Sequence, residues 1–289
     1  MRNPSSEVAV PSLTVFSVKT LALFCVLLLP LLCTPSSART IRVPVDYPTI
    51  QGAINASVNG DEVVVSPGTY PGNISISGKN IVLRSTDPRS TPVVAATILD
   101  ANRSGSVITF AGSESPSCIL SGFTITRGYA YRGGGIAGNG THATIQYNTI
   151  TNNEARVLEW FSRMARGGGI YDCDGLIWRN TITGNTATYG AQGGGLDSCD
   201  GTIQNNTISH NATVVGGGLS ECQGLIQSNR ILDNTSWDPG GGINQCNGVI
   251  QNNLICGNLA RGNGGGIHHF PLCGFAVLHT RPFLKLSSG

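Results

Sequence analysis

Carboxylates recur beside cysteines in this chain: Asp172 and Asp174 flank Cys173, Asp200 follows Cys199, and Glu221 precedes Cys222. If these segments stack, Asp174 comes to lie next to Asp200, and Asp172 in line with Glu221. Stacked like charges are unfavourable unless solvent or a cation screens them, and hard oxygen ligands of this kind suit Ca²⁺. The competing expectation is a solvated polar face that continues through Gln223, Gln245 and Asn247.

A second group of chemically able residues lies just ahead of successive glycine triplets. It comprises Tyr129, Tyr131 and Arg132, then the segment "EARVLEWFSRMAR" with Trp160, Arg163 and Arg166, then Tyr189 and Trp237. Aromatic rings stack on sugar faces and arginine grips carboxylates through two parallel hydrogen bonds. The inserted segment could instead lay Val157, Leu158 and Phe161 as a helix against the rest of the chain.

What positions these side chains is a repeat. Triplets begin at Gly133, Gly167, Gly193, Gly216, Gly240 and Gly264, with separations of 34, 26, 23, 24 and 24 residues. A period in the twenties signals a solenoid whose units bury their apolar faces only by stacking. Counted from the first glycine, Ile177, Ile203, Ile226 and Ile250 share one position, and Ile182, Ile208, Ile231 and Ile255 another. Cys173, Cys199, Cys222 and Cys246 form a third column. Asn180, Asn206, Asn229 and Asn253 form a fourth, and Asn185, Asn211, Asn234 and Asn258 a fifth.

Inward positions on one strand differ by even numbers, so the odd steps between these columns require bends. Three short strands per coil follow, with glycines and asparagines near the corners. One column, Leu176, Thr202, Leu225 and Val249, falls on the outward phase although it is mostly apolar. Sustained helical periodicity is missing, and β-branched residues with Gly-rich punctuation oppose a helical solenoid. Buried asparagine columns would satisfy one another's amides. The cysteine column is expected to be a stack of free thiols, because in-register side chains point the same way and strain a disulfide.

The phrase "GGGI…I..NTI..N", with the opening "YPTIQGAINASVNGDEVVVSPGTYPGNISISGKNIVLRS", resembles the right-handed parallel β-helix repeat family of the pectin-lyase-like superfamily. The expected fold is therefore all-β, a right-handed parallel β-helix solenoid of about nine coils with a short N-terminal capping helix. That helix is placed over 49–58, with Ile50, Ala53, Ile54 and Val58 on one face. The resemblance implies polysaccharide lyases, hydrolases and epimerases, or non-catalytic surface proteins. Lyase chemistry on a uronate neutralises the carboxylate, often with Ca²⁺ on aspartates, and needs an arginine or lysine base. Asp172, Asp174, Asp200 and Glu221 are the metal candidates. Arg132, Arg163, Arg166 and Arg179 are the catalytic candidates, and Tyr129, Tyr131, Trp160, Tyr189 and Trp237 the substrate-binding ones.

Arg2 and Lys19 precede the apolar run 21–32, and Ser36, Ser37 and Ala38 offer a cleavage point, so residues 1–38 read as an export signal. An uncleaved anchor is the alternative; the run is short of the roughly 20 apolar residues a bilayer needs. The solenoid then occupies 39–289, with a cap over 39–60, regular coils over 133–267 and an irregular end over 268–289, where Phe275 to Thr280 could form a strand. His268 and His269 read as a surface pair. A net charge of +2 with 12% charged residues gives no basis for nucleic-acid binding. Together these features predict a secreted or cell-surface protein that recognises, and could cleave, an extracellular polysaccharide. A non-catalytic structural or adhesive surface protein is the alternative.

Overall fold

The structure is a computed structural model that describes residues 37–157 and 164–268. The chain divides between Ser37 and Ala38 into two units, and the second carries every described element. No described helix is long and apolar enough to cross a membrane. Residues 1–36 of the export signal, Arg163, Trp160, Leu158, Phe161 and the 269–289 end lie outside the described residues.

Short strands separated by corners wind into a parallel β-helix. A nine-stranded sheet runs from Thr40–Val43 to Val249–Gln251, one strand per coil. An eight-stranded sheet that follows the glycine triplets runs from Ile74–Ser75 to Ile267–His268. A second eight-stranded sheet runs from Gly68–Pro71 to Leu254–Cys256. Equal repeat positions pair in parallel register, as in Ile177 with Ile203, Ile226 and Ile250. The central residue of each triad is buried, and one continuous core of isoleucine, leucine, valine and cysteine follows the axis. The apolar outward column is outward as its phase demands: Leu176, Thr202 and Leu225 are half-buried and Val249 is exposed.

A fourth sheet, six strands from Tyr129–Ala130 to Leu259–Ala260, makes four strands per regular coil where the repeat pattern predicts three. Its inward residues are small: Ala155, Ala187, Thr213 and Ser236. With Ala165 and Ala191, the first two form a separate small core. No branched apolar column marks these strands, so periodicity alone passes over them.

The asparagine columns are not themselves the corners. Left-handed backbone falls one residue earlier, at Arg179, Asn205, Ser228 and Asn252 in one column. The asparagine that follows turns inward, where its Oδ1 accepts from the backbone N–H and Nδ2 of the preceding coil's asparagine. Thus Asn180 donates to Asn206 at 2.8 and 3.1 Å, and Asn206 to Asn229 at 2.9 and 3.1 Å.

The N-terminal helix α1 spans Ile50–Ala56, with the Thr49 hydroxyl accepting from Gly52 N–H at 3.1 Å. Ile50, Ala53 and Ile54 are buried on the first strands, while Val58 lies past the Ser57 cap and is 46% exposed. Lys79 Nζ donates to the carbonyls of Ile54, Asn55 and Ser57, closing the helix end. A second helix, α2 (Thr91–Ala96), lies beside the sheet of Gly68–Pro71, where Thr124 Oγ1 donates to Val94 O at 2.9 Å.

The triplets are glycine for two reasons. The first glycine has positive φ, 71° at Gly216. The later ones lack space: a Cβ on Gly218 would stand 2.5 Å from Gly242 O and 3.2 Å from Asn234 Nδ2. Gly218→Ala should therefore lower stability by about 2 kcal/mol, within the range for forced overpacking, read as a fall in the denaturant midpoint.

Candidate functional site

On the strand after each triplet the first residue enters the core and the next should face solvent. It does not. Asp197, Ser220 and Asn244 occupy that second position and are all buried. The chain folds back over them, so close that a Cβ on Gly193 would lie 2.5 Å from the Asp197 Cβ. Residues just before the triplets form the roof: Arg132, Arg166, Gln192 and Val215 stack by parallel bridges.

Arg166 reaches across the glycine ridge. One guanidinium nitrogen lies 2.6 Å from Glu221 Oε2, 3.2 Å from Ser198 Oγ and 3.4 Å from Asp197 Oδ2. Ser198 and Glu221 take left-handed backbone, as does Asp172, at the bend following that strand. Beyond them opens a groove of about 450 Å³ lined by Ser198, Asp200, Glu221, Gln223, Gln245 and Asn247.

Burial opposes the charge of Arg166, yet its hydrogen bond to Glu221 and the charges of Asp197 and Glu221 outweigh it and raise its pKa. Burial pushes the Asp197 carboxyl up to about 7; Arg166 opposes this and Glu221 adds to it. Asp172 is also raised, first by burial and then by the charges of Asp174 and Asp200, against the pull of Arg132. Of the four arginines expected from the sequence, the structure thus brings Arg132 and Arg166 to the acidic columns. Arg166 cannot serve as a proton acceptor while Glu221 holds it cationic. Arg179 lies on a different corner, its guanidinium 4.7 Å from the Trp178 ring centroid.

The carboxylates expected as metal ligands bond to other groups of the chain. Asp174 Oδ1 accepts from Asp200 N–H at 3.0 Å, and Asp200 Oδ1 from Gln223 N–H at 2.8 Å. Gln223 Oε1 continues the pattern to Asn247 N–H at 2.9 Å. The column therefore links backbone between coils, Glu221 is engaged by Arg166, and no three His, Cys, Asp or Glu residues form a metal-holding group among the described residues.

The six described cysteines are unpaired thiols. Cys199 N–H donates to Cys222 Sγ at 3.4 Å, and the thiols of Cys173, Cys199, Cys222 and Cys246 each donate to a carbonyl two residues back, as Cys222 does to Ser220 O at 3.3 Å. Burial raises the thiols of Cys173, Cys199 and Cys222 well above the ordinary range, which suppresses thiolate chemistry. His268 is no bare surface residue: its ring lies 3.0 Å from Asn244 Oδ1, continuing the buried polar column.

The loop edge carries arginine-on-ring pairs. Arg103 lies 4.5 Å from the Tyr129 centroid, Arg156 4.7 Å from Tyr189, and Arg261 3.8 Å from Trp237. Arg132 sits between Tyr131 and Tyr171, at 5.5 and 5.2 Å. Tyr189 and Trp237 are more than 60% exposed. Sequence reasoning passed over Asp197, Ser198 and Tyr171; the run of polar residues directly after each buried Ile or Leu was the available signal. Comparison with protein-family models, curated proteins and solved structures returned no match.

Proposed function

We propose that this chain is an exported, secreted or cell-surface protein that recognises an extracellular polysaccharide along its loop edge. The carrying observation is the set of arginine-on-ring pairs at Tyr129, Tyr189 and Trp237, each ahead of a different glycine triplet on one rigid scaffold. An extended polymer can meet several such pairs at once, stacking sugar faces on the rings while the arginines take up hydroxyl or carboxylate oxygens. The resemblance of the glycine-rich repeat and its opening segment to pectin-lyase-like proteins supports the same ligand class. The apolar leader supports export. Recognition without bond cleavage is favoured, because Arg166 is held as a cation by Glu221.

The test is titration of the 39–289 chain with acidic and neutral polysaccharides by calorimetry. Tyr189→Ala and Trp237→Ala should each weaken binding about tenfold, the equivalent of about 1.4 kcal/mol. Absence of binding across the panel by folded protein would transfer the preference to a structural or adhesive surface role. Cleavage of the bound polymer is a second reading, carried by Arg132 beside the raised Asp172. It requires growth of ultraviolet absorbance from unsaturated products, abolished by Arg132→Ala.

A further inference from the structure

Six buried polar atoms between the strands after the triplets and the loop edge have no hydrogen-bond partner in the protein: Tyr131 Oη, Arg132 Nε, Gln192 Oε1, Asp197 Oδ1, Ser220 Oγ and Asn244 Nδ2. Tyr131 packs on the small alanine core beside Arg132, and the other five sit on two neighbouring features of the repeat. One is the roof that bridges Arg132, Arg166 and Gln192, and the other is the in-register column Asp197, Ser220, Asn244. Leaving so many groups dry would oppose folding strongly, since buried polar groups in native proteins are almost always satisfied.

The set is chemically mixed. Arg132 Nε and Asn244 Nδ2 only donate, Gln192 Oε1 only accepts, and the hydroxyls of Tyr131 and Ser220 do either. A cation would leave the donors unmet and an anion the acceptors, so the occupant must both donate and accept. Spacing agrees. In-register groups on adjacent coils stand about 4.8 Å apart; Thr183 and Ser209 close such a gap directly at 3.2 Å, whereas Ser220 Oγ bonds to neither neighbour in its column. Two hydrogen bonds of about 2.8 Å meeting at one oxygen span that gap at a roughly tetrahedral angle.

We propose that this layer is an internal hydration site, in which bound water bridges Asp197, Ser220 and Asn244 from coil to coil and reaches Gln192 and Arg132 in the roof. Each water there gains the two to four polar partners that a structural water needs. The inference is independent of any polysaccharide, since it concerns the scaffold between the strands and the roof.

Water ¹⁷O relaxation dispersion on the intact chain tests it directly, with Ser220→Ala as the probe variant. A long-lived internal water component in the wild-type protein, reduced in the variant, together with a melting midpoint lowered by a few degrees, is the expected result. If the hydroxyl of Ser220 is instead dry and unmet, its removal relieves a desolvated group and the midpoint rises. A rise in midpoint, or no long-lived component in the wild-type chain, overturns the proposal.

Discussion

Replacing Asn206 with leucine is expected to destabilise the fold by about 4 kcal/mol, although the two side chains are close in volume. The Asn206 amide donates to Ile177 O at 2.8 Å and to Asn229 Oδ1 at 3.1 Å. It accepts from the Asn180 backbone N–H at 2.8 Å and from Asn180 Nδ2 at 3.1 Å. Asn180 Nδ2 keeps Ile145 O and Asn229 Oδ1 keeps the Asn206 N–H, so one group is stranded, the Asn180 N–H, while Ile177 C=O loses the amide but keeps its place in the parallel ladder with the next coil. Each buried, unmet backbone group costs about 1–3 kcal/mol, and the lost amide bonds add to this. Because each coil contacts only its neighbours, the damage should be local. Hydrogen exchange should accelerate around Ile177, Ile203 and Ile226 while amides near Ile125 keep their protection. Uniform protection along the axis in the variant would contradict the ladder as the source of local stability. Gln204→Leu, a change on the outward face two residues away, should stay within about 0.5 kcal/mol of wild type.

The second large effect concerns pH. Asp197 titrates near its ordinary value of 3.8 when unfolded and near 7 when folded. Between these values the native state binds the extra proton, so its contribution is fully present below pH 4 and is lost as pH rises through 7. Three units correspond to at most about 4 kcal/mol. Asp197→Asn removes this slope, so the variant should gain on wild type as pH climbs from 5 to 8 and hold that gain above it. Asp172 is also raised and leans the same way, so Asp172→Asn is the comparison that separates the two. Asp61, held at about 2 by Arg39, titrates below this window. Melting midpoints at pH 5, 6, 7 and 8 check the sign, and a variant that loses stability relative to wild type across that range would show that Asp197 is ionised in the native protein.

The isoleucine and asparagine columns are legible in the sequence because a solenoid turns equal repeat positions into neighbours. Ile177 and Ile203 need only be aligned to be known as partners. The Arg166 site is not legible in that way. Its partners lie 31 and 55 residues away on two different coils and at different repeat positions. Its own column runs Arg132, Arg166, Gln192, Val215, so no shared chemistry marks it. The fourth sheet was hidden for a related reason: alanine, threonine and serine fill its inward positions as well as many loop positions. The recurring asparagine marks the neighbourhood of each corner, while the residue ahead of it, free to vary, carries the left-handed backbone.

The lengths between triplets differ, yet the strands realign from coil to coil, because most of the extra residues fall on the side between the fourth sheet and the next glycine, and the two inserted within Ile136–Thr141 are taken up by a local shift of register. That separation has a mechanical consequence. Hydrogen bonds between coils lie parallel to the axis, so tension along the axis loads them coil by coil rather than all together. A coil detached at one end exposes its neighbour to the same load, and the molecule would yield as a series of similar short steps, each releasing one repeat length of chain.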